Sequence, residues 1–163
     1  MAEAPHIMIV EARYYPEITD ELVKGATAVL TEAGATYRRQ EVPGVFEIPG
    51  AIRMAVKAME FSIDRRRVDA FIALGCVIRG ETSHYDVVVN ESARAIQDLV
   101  CQFTLALGFG ILTVENEEQA WARAEVDKKN KGAEAARACL AMLDVKRRMS
   151  LYPREPLPRT PAQ

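Results

Sequence analysis

The segment from Arg79 to His84 groups side chains suited to proton transfer and anion binding. His84 is one of two histidines in the chain, and an imidazole exchanges protons near neutral pH. Thr82 and Ser83 precede an apolar stripe with helical spacing, and the free N–H groups at a helix start can hold a phosphate. The residues alone leave two interpretations open, a catalytic phosphate site or a surface histidine behind ordinary helix caps.

A second loop sets a carboxylate beside an aromatic ring, with Phe46 and Glu47 following Gly44. This pair could hold a flat polar ligand, but a polar loop over a core phenylalanine has the same pattern. Arg123 and Lys131 could complete an anion site, although cations on exposed helices usually serve only solubility. Further context is needed to choose between these interpretations.

Common nucleotide-binding signatures are absent from the sequence. Gly75 and Gly80 have the spacing of a phosphate-binding loop, but Glu81 stands where that loop carries its lysine, and no G-x-G-x-x-G follows the first strand. The chain has 21 Lys plus Arg against 23 Asp plus Glu, a net charge of -2. Nucleoside triphosphates, dinucleotides and nucleic acids are therefore not expected partners.

The cysteine spacing and the hydropathy pattern indicate where in the cell the protein is expected to lie. Cys76, Cys101 and Cys139 lie far apart, with no C-x-x-C pair and no clustered histidines, so neither a disulfide framework nor a metal site is predicted. No apolar run approaches the roughly 18 to 20 residues that span a bilayer, and no export signal opens the sequence. We expect a cytoplasmic protein that does not enter the membrane.

Four strands alternating with five helices are predicted to position these loops. The alternation favours a three-layer α/β sandwich, with a four-stranded parallel sheet and helices on both faces. Thr19 is the expected N-cap of the first helix and Gly34 its stop, and Asn116 with Gln119 resembles a capping box. The predicted strands are the run from His6 to Ala12, Tyr37 to Val42, Val68 to Ile78, and Phe109 to Val114.

The length of 163 residues fits a single domain. We assign residues 1–150 to it and expect residues 151–163, which hold four prolines, to form a flexible tail. The arginines at 65–67 are interpreted as a solvated turn rather than an anion site. Ligands of such a sheet bind where its strands end, so the loops after the strands are the expected site.

The sequences of these loops, taken in their order along the chain, resemble the motifs of the lumazine synthases. The match covers nearly the whole chain to about Met149, and four ordered motifs are far more specific than any one alone. The resemblance implies a flavodoxin-like fold and a transferase that condenses 5-amino-6-(D-ribitylamino)uracil with 3,4-dihydroxy-2-butanone 4-phosphate to 6,7-dimethyl-8-ribityllumazine. The matching segments are Ala12 to Tyr15 with Ile18-Thr19, Val42 to Pro49, Gly75 to Asp86, and Asn130 to Gly132.

The resemblance also implies a role for each site residue. His84, Arg123 and Lys131 would be catalytic, with His84 shuttling protons. The phosphate would lie at Glu81 and Thr82, with Arg123 supplied by a neighbouring subunit. No metal or cofactor is implied. The uracil and ribityl chain would contact Tyr14, Val45, Phe46, Glu47, Cys76, Val77, Ile78 and the neighbour's Phe109, with the ring stacked on Tyr14 and the ribityl chain held by Glu47.

The implied partners are copies of this chain, with active sites between subunits, and riboflavin synthase. Members of the family that form capsids commonly have a glycine-containing turn where this chain has Asp127-Lys128-Lys129, and no extra N-terminal strand is predicted here before Ile7. We therefore expect a plain pentamer rather than an icosahedral shell. The alternative is a non-catalytic flavin- or lumazine-binding module on the same fold. The presence of His84, Arg123 and Lys131 favours the enzyme, because a binding module needs no phosphate end.

Overall fold

The computed structural model describes residues 4–61 and 67–153 and contains a four-stranded parallel sheet in the order β2-β1-β3-β4. This confirms the predicted sheet with helices on both faces. The expected turn at residues 65 and 66 and the tail from residue 154 lie outside the described residues. The strands are β1 (His6–Ala12), β2 (Thr36–Val42), β3 (Ala70–Ile78) and β4 (Leu107–Val114).

Five α-helices cover the sheet in two layers. On one face α1, α4 and α5 pack over Ile7, Ile9 and Leu74, and on the other face α2 and α3 pack over Met8, Val10 and other residues of the second core. The strands β1 and β3, which are apolar apart from His6 and Glu11, lie in the middle of the sheet, where both faces are covered. The helices are α1 (Pro16–Glu32), α2 (Ile48–Phe61), α3 (His84–Phe103), α4 (Glu117–Ala124) and α5 (Lys131–Arg148), and a 3₁₀ helix spans Val45–Glu47.

The first helix begins earlier than predicted. Pro16 lies in its first turn, where a fixed φ suits a helix start, so the expectation that Thr19 is the N-cap is wrong. Thr19 is instead fully buried inside α1, and its hydroxyl donates to the Ala12 carbonyl at 2.7 Å. The hydrogen bond ties the helix to the end of β1. The predicted stop is confirmed, since Gly34 has a φ of +72° just after the helix.

The predicted cap of α4 is confirmed. The Asn116 side chain accepts from the Gln119 N–H at 2.9 Å, and the Gln119 side chain accepts from the Glu115 N–H at 2.8 Å. In the usual capping box the Gln119 side chain would accept from the N–H of the cap residue Asn116, but here it accepts from the residue before the cap, Glu115. The result is a rigid start for the helix that carries Arg123.

Helix α5 packs unusually close to its neighbours because glycines lie at the contacts. A Cβ at Gly132 would come 1.9 Å from the Leu22 carbonyl oxygen, and one at Gly108 would come 1.9 Å from the Ala135 carbonyl oxygen. Backbone atoms cannot move aside as a flexible side chain can. These glycines therefore fix α5, with Lys131 in its first turn, against both α1 and β4.

Strand order reverses between β1 and β3. The chain leaves β1 toward β2 on one side and returns to β3 on the other, so the loops after β1 and β3 diverge and leave a crevice at the carboxyl edge of the sheet. This is where ligands bind in open α/β sheets. In the described part of the chain, no helix has the length and apolar character needed to cross a membrane.

Candidate active site

A cavity of about 550 Å³ lies in the crevice, and we call it the main cavity. Its walls are the loops after β1 and β2, the end of β3 and the start of α3. Three of the four loops that follow the strands therefore meet here, whereas the loop after β4 does not line this cavity. The predicted site residues that line it are Tyr14, Val45, Phe46, Glu47, Cys76, Val77, Ile78, Thr82 and His84.

Aromatic rings stand exposed at the main cavity. Tyr14 is 71% exposed and Phe46 is 55% exposed, which is high for large rings on a folded chain. Tyr14 packs edge-on against Tyr15, with ring centroids 4.9 Å apart. Exposed rings at a concave surface are suited to stacking on a flat ligand.

Two tyrosines that line the main cavity were not singled out from the sequence. Tyr15 and Tyr85 both contribute to its walls. Each follows a predicted site residue directly in the sequence, Tyr15 after Tyr14 and Tyr85 after His84, and this adjacency could have indicated them. Burial raises the pKa of the Tyr15 phenol, with smaller contributions from Tyr14, Cys76 and Glu117. Tyr15 therefore stays protonated around neutral pH and can donate a hydrogen bond.

The floor of the main cavity depends on Gly75 in the middle of β3. A Cβ at this position would lie 2.8 Å from Val45 Cγ2 and 3.0 Å from Ala12 Cβ. The missing side chain lets the 3₁₀ helix settle onto the strand, and Val45 is buried there. Phe46 and Glu47, which follow Val45 in the same turn, are thereby brought over the crevice.

The polar end of the main cavity is the N-terminus of α3. His84 is the first residue of this 20-residue helix, and its backbone N–H donates to Thr82 Oγ1 at 3.3 Å. No side chain caps the helix at Ser83. A helix N-terminus carries a partial positive charge, so the N–H groups here favour an anion. The predicted placement of His84 and Thr82 at a helix start is confirmed.

Arg79 connects the two loops beside this helix. Its guanidinium pairs with Glu115 at 2.9 Å and Asp86 at 3.4 Å and lies 4.2 Å from the centre of the Tyr85 ring. The hydrogen bond that this guanidinium donates to the Glu115 carboxylate raises the pKa of Arg79. The loop after β3 is thereby tied to the loop after β4 and to the first turn of α3.

Cys76 lies in the wall of the main cavity as a neutral thiol. Burial raises its pKa to about 12, so almost none of it is thiolate near neutral pH. The side chain therefore acts as a small apolar surface and not as a nucleophile.

Arg123 and Lys131, the two cationic side chains predicted to be catalytic, do not line the main cavity. A cavity of about 300 Å³ beside β4, which we call the edge cavity, is lined by Phe109, Arg123 and Lys131 among others. Arg123 donates to the Gln119 carbonyl at 3.0 Å, and Lys131 pairs with Glu134 at 2.7 Å. The predicted catalytic residues are thus divided within one chain, with His84 in the main cavity. Glu81 is exposed and lines neither cavity.

The fold and the main cavity define a doubly wound α/β protein with a cavity at the switch point of its sheet, whose exposed rings and helix N-terminus suit a small flat molecule with an anionic group. The sequence profile of the 6,7-dimethyl-8-ribityllumazine synthase family matches residues 4–147. The chain belongs to this family.

Individual relatives support the same assignment. A 6,7-dimethyl-8-ribityllumazine synthase of Bartonella tribocorum is 51% identical over 148 residues, which are 91% of this chain and 94% of the relative. That of Agrobacterium fabrum is 52% identical over 145 residues, 89% and 97% of the two chains. The 6,7-dimethyl-8-ribityllumazine synthase 1 of Rhizobium meliloti is 54% identical over 144 residues, 88% and 93%. These relatives favour the enzyme over the non-catalytic module.

Proposed function

We propose that the chain condenses 5-amino-6-(D-ribitylamino)uracil with 3,4-dihydroxy-2-butanone 4-phosphate to 6,7-dimethyl-8-ribityllumazine in riboflavin biosynthesis, releasing phosphate and water. Membership of the family over residues 4–147 supports this reaction. The observation that carries it is the chemistry of the main cavity, where exposed rings lie at one end and the N-terminus of α3 with His84 at the other. One end suits a pyrimidine and the other suits a phosphate.

The aromatic end of the main cavity would hold the aminouracil. Tyr14 and Phe46 offer exposed faces for stacking, which is worth about 0.5–1.5 kcal/mol per aromatic pair beyond burial. The Glu47 carboxylate lies over Gly44 and can accept hydrogen bonds from ribityl hydroxyls. Cys76, Val77 and Ile78 would form the wall against the ring, together with Phe109 of a neighbouring subunit.

The polar end would hold the sugar phosphate. Glu81 and Thr82 precede α3, whose free N–H groups and dipole favour phosphate oxygens. A neighbour's Arg123 would add a planar fork of donors that matches two phosphate oxygens. Lys131, close to Arg123 in the edge cavity, would add a second positive charge where phosphate departs.

The proposed reaction needs orientation and proton transfer. The ring amine attacks the ketone, and loss of water gives an imine. A proton then leaves the hydroxyl-bearing carbon as the neighbouring C–O bond to phosphate breaks, and the enol that forms tautomerises to a ketone. Attack of the ribitylamino nitrogen on this new carbonyl closes the ring with loss of a second water. His84 would take and return the protons, adding about 10²- to 10⁴-fold, and holding two substrates together would supply most of the remaining rate.

We propose that the active protein is a cytoplasmic homopentamer with sites shared between subunits. His84 and the two cations lie in different cavities of one chain, so a neighbour's edge cavity must face the main cavity to complete the set. Strand β4 is an edge of the sheet and carries Phe109, which is 45% exposed. Riboflavin synthase is a further proposed partner. The three cysteines are free thiols, which suits a reducing compartment.

The direct test is to mix the purified protein with both substrates and follow the fluorescence of the lumazine. We expect product well above the uncatalysed condensation, and size-exclusion chromatography with light scattering should give a five-fold mass. Riboflavin binding without any product above background would instead support the non-catalytic module.

A further inference from the structure

A glutamate side chain lies fully buried in a central strand of the sheet. Glu11, the sixth residue of β1, is fully buried and belongs to an otherwise apolar run. Taking a carboxylate out of water is costly unless partners surround it. Such a group in a core strand therefore needs an explanation.

Two arginines surround the Glu11 carboxylate. Arg39 of β2 donates from Nε to one oxygen at 2.8 Å and from a terminal nitrogen to the other at 2.7 Å, which is a bidentate pair. Arg13 donates to Glu11 at 3.3 Å and to Asp20 of α1 at 2.7 Å. The hydrogen bond to Asp20 raises the pKa of Arg13, and that to Glu11 raises the pKa of Arg39. Both arginines therefore stay charged.

These four residues, which we call the charge quartet, join β1, β2 and α1 around Arg13, the residue directly before Tyr14. Two acids balance two bases, and the partners come from β1, β2, α1 and the loop after β1. Stability alone does not require the quartet, because apolar residues of similar volume often replace a buried ion pair at no cost. What an ion cluster adds is a defined orientation of its members.

Arg13 connects the quartet to the main cavity, because it directly precedes Tyr14, which lines that cavity. The Arg13 N–H donates to the Val42 carbonyl at 2.9 Å, and the Thr19 hydroxyl donates to the Ala12 carbonyl at 2.7 Å. With the side-chain bonds of Arg13, the backbone before Tyr14 is held from three directions. The Tyr14 ring itself is 71% exposed, so packing against the core does not set its position.

We propose that Glu11 is a positioning residue, which holds Arg13 and thereby keeps Tyr14 in the orientation that receives the aminouracil. Because Tyr14 is assigned to this ligand under the proposed function, the inference rests on that function. Glu11 does not touch the substrate. Its loss should therefore weaken binding at the aromatic end of the main cavity and leave the phosphate end unchanged.

The test is Glu11→Gln, with KM measured separately for the two substrates. We expect KM for the ribitylaminouracil to rise about tenfold, equivalent to ~1.4 kcal/mol, while KM for the sugar phosphate stays within about twofold. A purely structural role would lower the melting temperature and kcat without separating the two KM values. The control is Glu32→Gln, since Glu32 is an exposed glutamate at the C-terminal end of α1 and is not one of the four residues of the quartet. It should leave both KM values unchanged.

A second variant covers the case in which Glu11→Gln does not fold. Arg13→Gln leaves the bidentate Glu11–Arg39 pair intact and releases the loop before Tyr14, so a rise of at least the same size in the same KM is expected. Calorimetric titration of each variant with the ribitylaminouracil alone measures binding without turnover. Unchanged binding in both variants overturns the positioning role, whereas a wild-type protein that binds this substrate and makes no lumazine overturns the proposed reaction instead.

Discussion

The main cavity and the edge cavity divide the chemistry of this chain between them. The main cavity is the larger, at about 550 Å³ against about 300 Å³, and combines exposed rings with His84 at a helix start. The edge cavity holds Arg123 and Lys131 beside a single ring, Phe109. Neither contains all the groups that a condensation with loss of phosphate requires. Under the proposed function a single copy of this fold would carry two half-sites, and assembly would be part of the mechanism.

Mixing two inactive variants gives the sharpest test of this division. His84→Ala and Arg123→Ala should each lower kcat by about 10²- to 10³-fold or more, because each removes a group from one half-site. When equal amounts are unfolded and reassembled together, about a quarter of the interfaces should combine an intact main cavity with an intact edge cavity. Recovery toward a quarter of the wild-type rate is the expected result.

The matched control is each variant reassembled alone, which should regain its assembly without its activity. If the mixture stays as inactive as its parts, His84 and Arg123 act within one chain or not at all, and the two cavities are not halves of one site.

A smaller effect should come from filling the floor of the main cavity. Gly75→Ala places a Cβ 2.8 Å from Val45 Cγ2, so Val45 and the 3₁₀ helix must shift, at a cost of about 1–3 kcal/mol in the free energy of unfolding. The shift should also raise KM for the ribitylaminouracil. Denaturant unfolding and steady-state kinetics measure the two effects.

Gly50→Ala is the control, since a Cβ there meets nothing within 4 Å and alanine favours a helix interior. Equal losses of stability in both variants would show that the close approach at Gly75 does not shape the cavity.

The smallest effect concerns the buried thiols, one near each cavity. Burial raises the pKa of Cys76 in the main cavity and of Cys139 under β4 to about 12 each. Above the ordinary thiol pKa of about 8.5 the unfolded chain loses these protons while the folded chain keeps them, so the free energy of unfolding falls as pH rises toward 12. Unfolding in urea at about pH 7.5 and about pH 10 should show this decline.

Cys76→Ala and Cys139→Ala should each make the decline shallower, whatever they do to stability at neutral pH. An unchanged pH dependence in both variants would mean that the thiols are not held neutral by burial. A ligand in the main cavity should protect Cys76 from alkylation at alkaline pH but leave Cys139 unaffected.

Local patterns in the sequence were enough for most of the architecture. The apolar run of β3 predicted a strand covered on both faces, because only such a strand is apolar at every position. Gly34 and the pair Asn116 and Gln119 marked helix boundaries, since they satisfy end groups that a helix leaves free. Thr19 was misassigned because a hydroxyl before an apolar stripe has the same local pattern whether it caps a helix or, as here, bonds to a neighbouring strand.

The sequence by itself determined the element order, the helix and strand types and, through ordered motifs, the family. Tertiary structure alone decided which loops meet, that Glu11 is buried against two arginines, and that His84 and Arg123 lie in different cavities. The physical reason is the separation along the chain of the residues that interact. Helix ends and strand periodicity depend on residues a few positions apart, whereas Glu11 meets Arg39 and Val45 meets Gly75 only after the sheet has brought distant segments together.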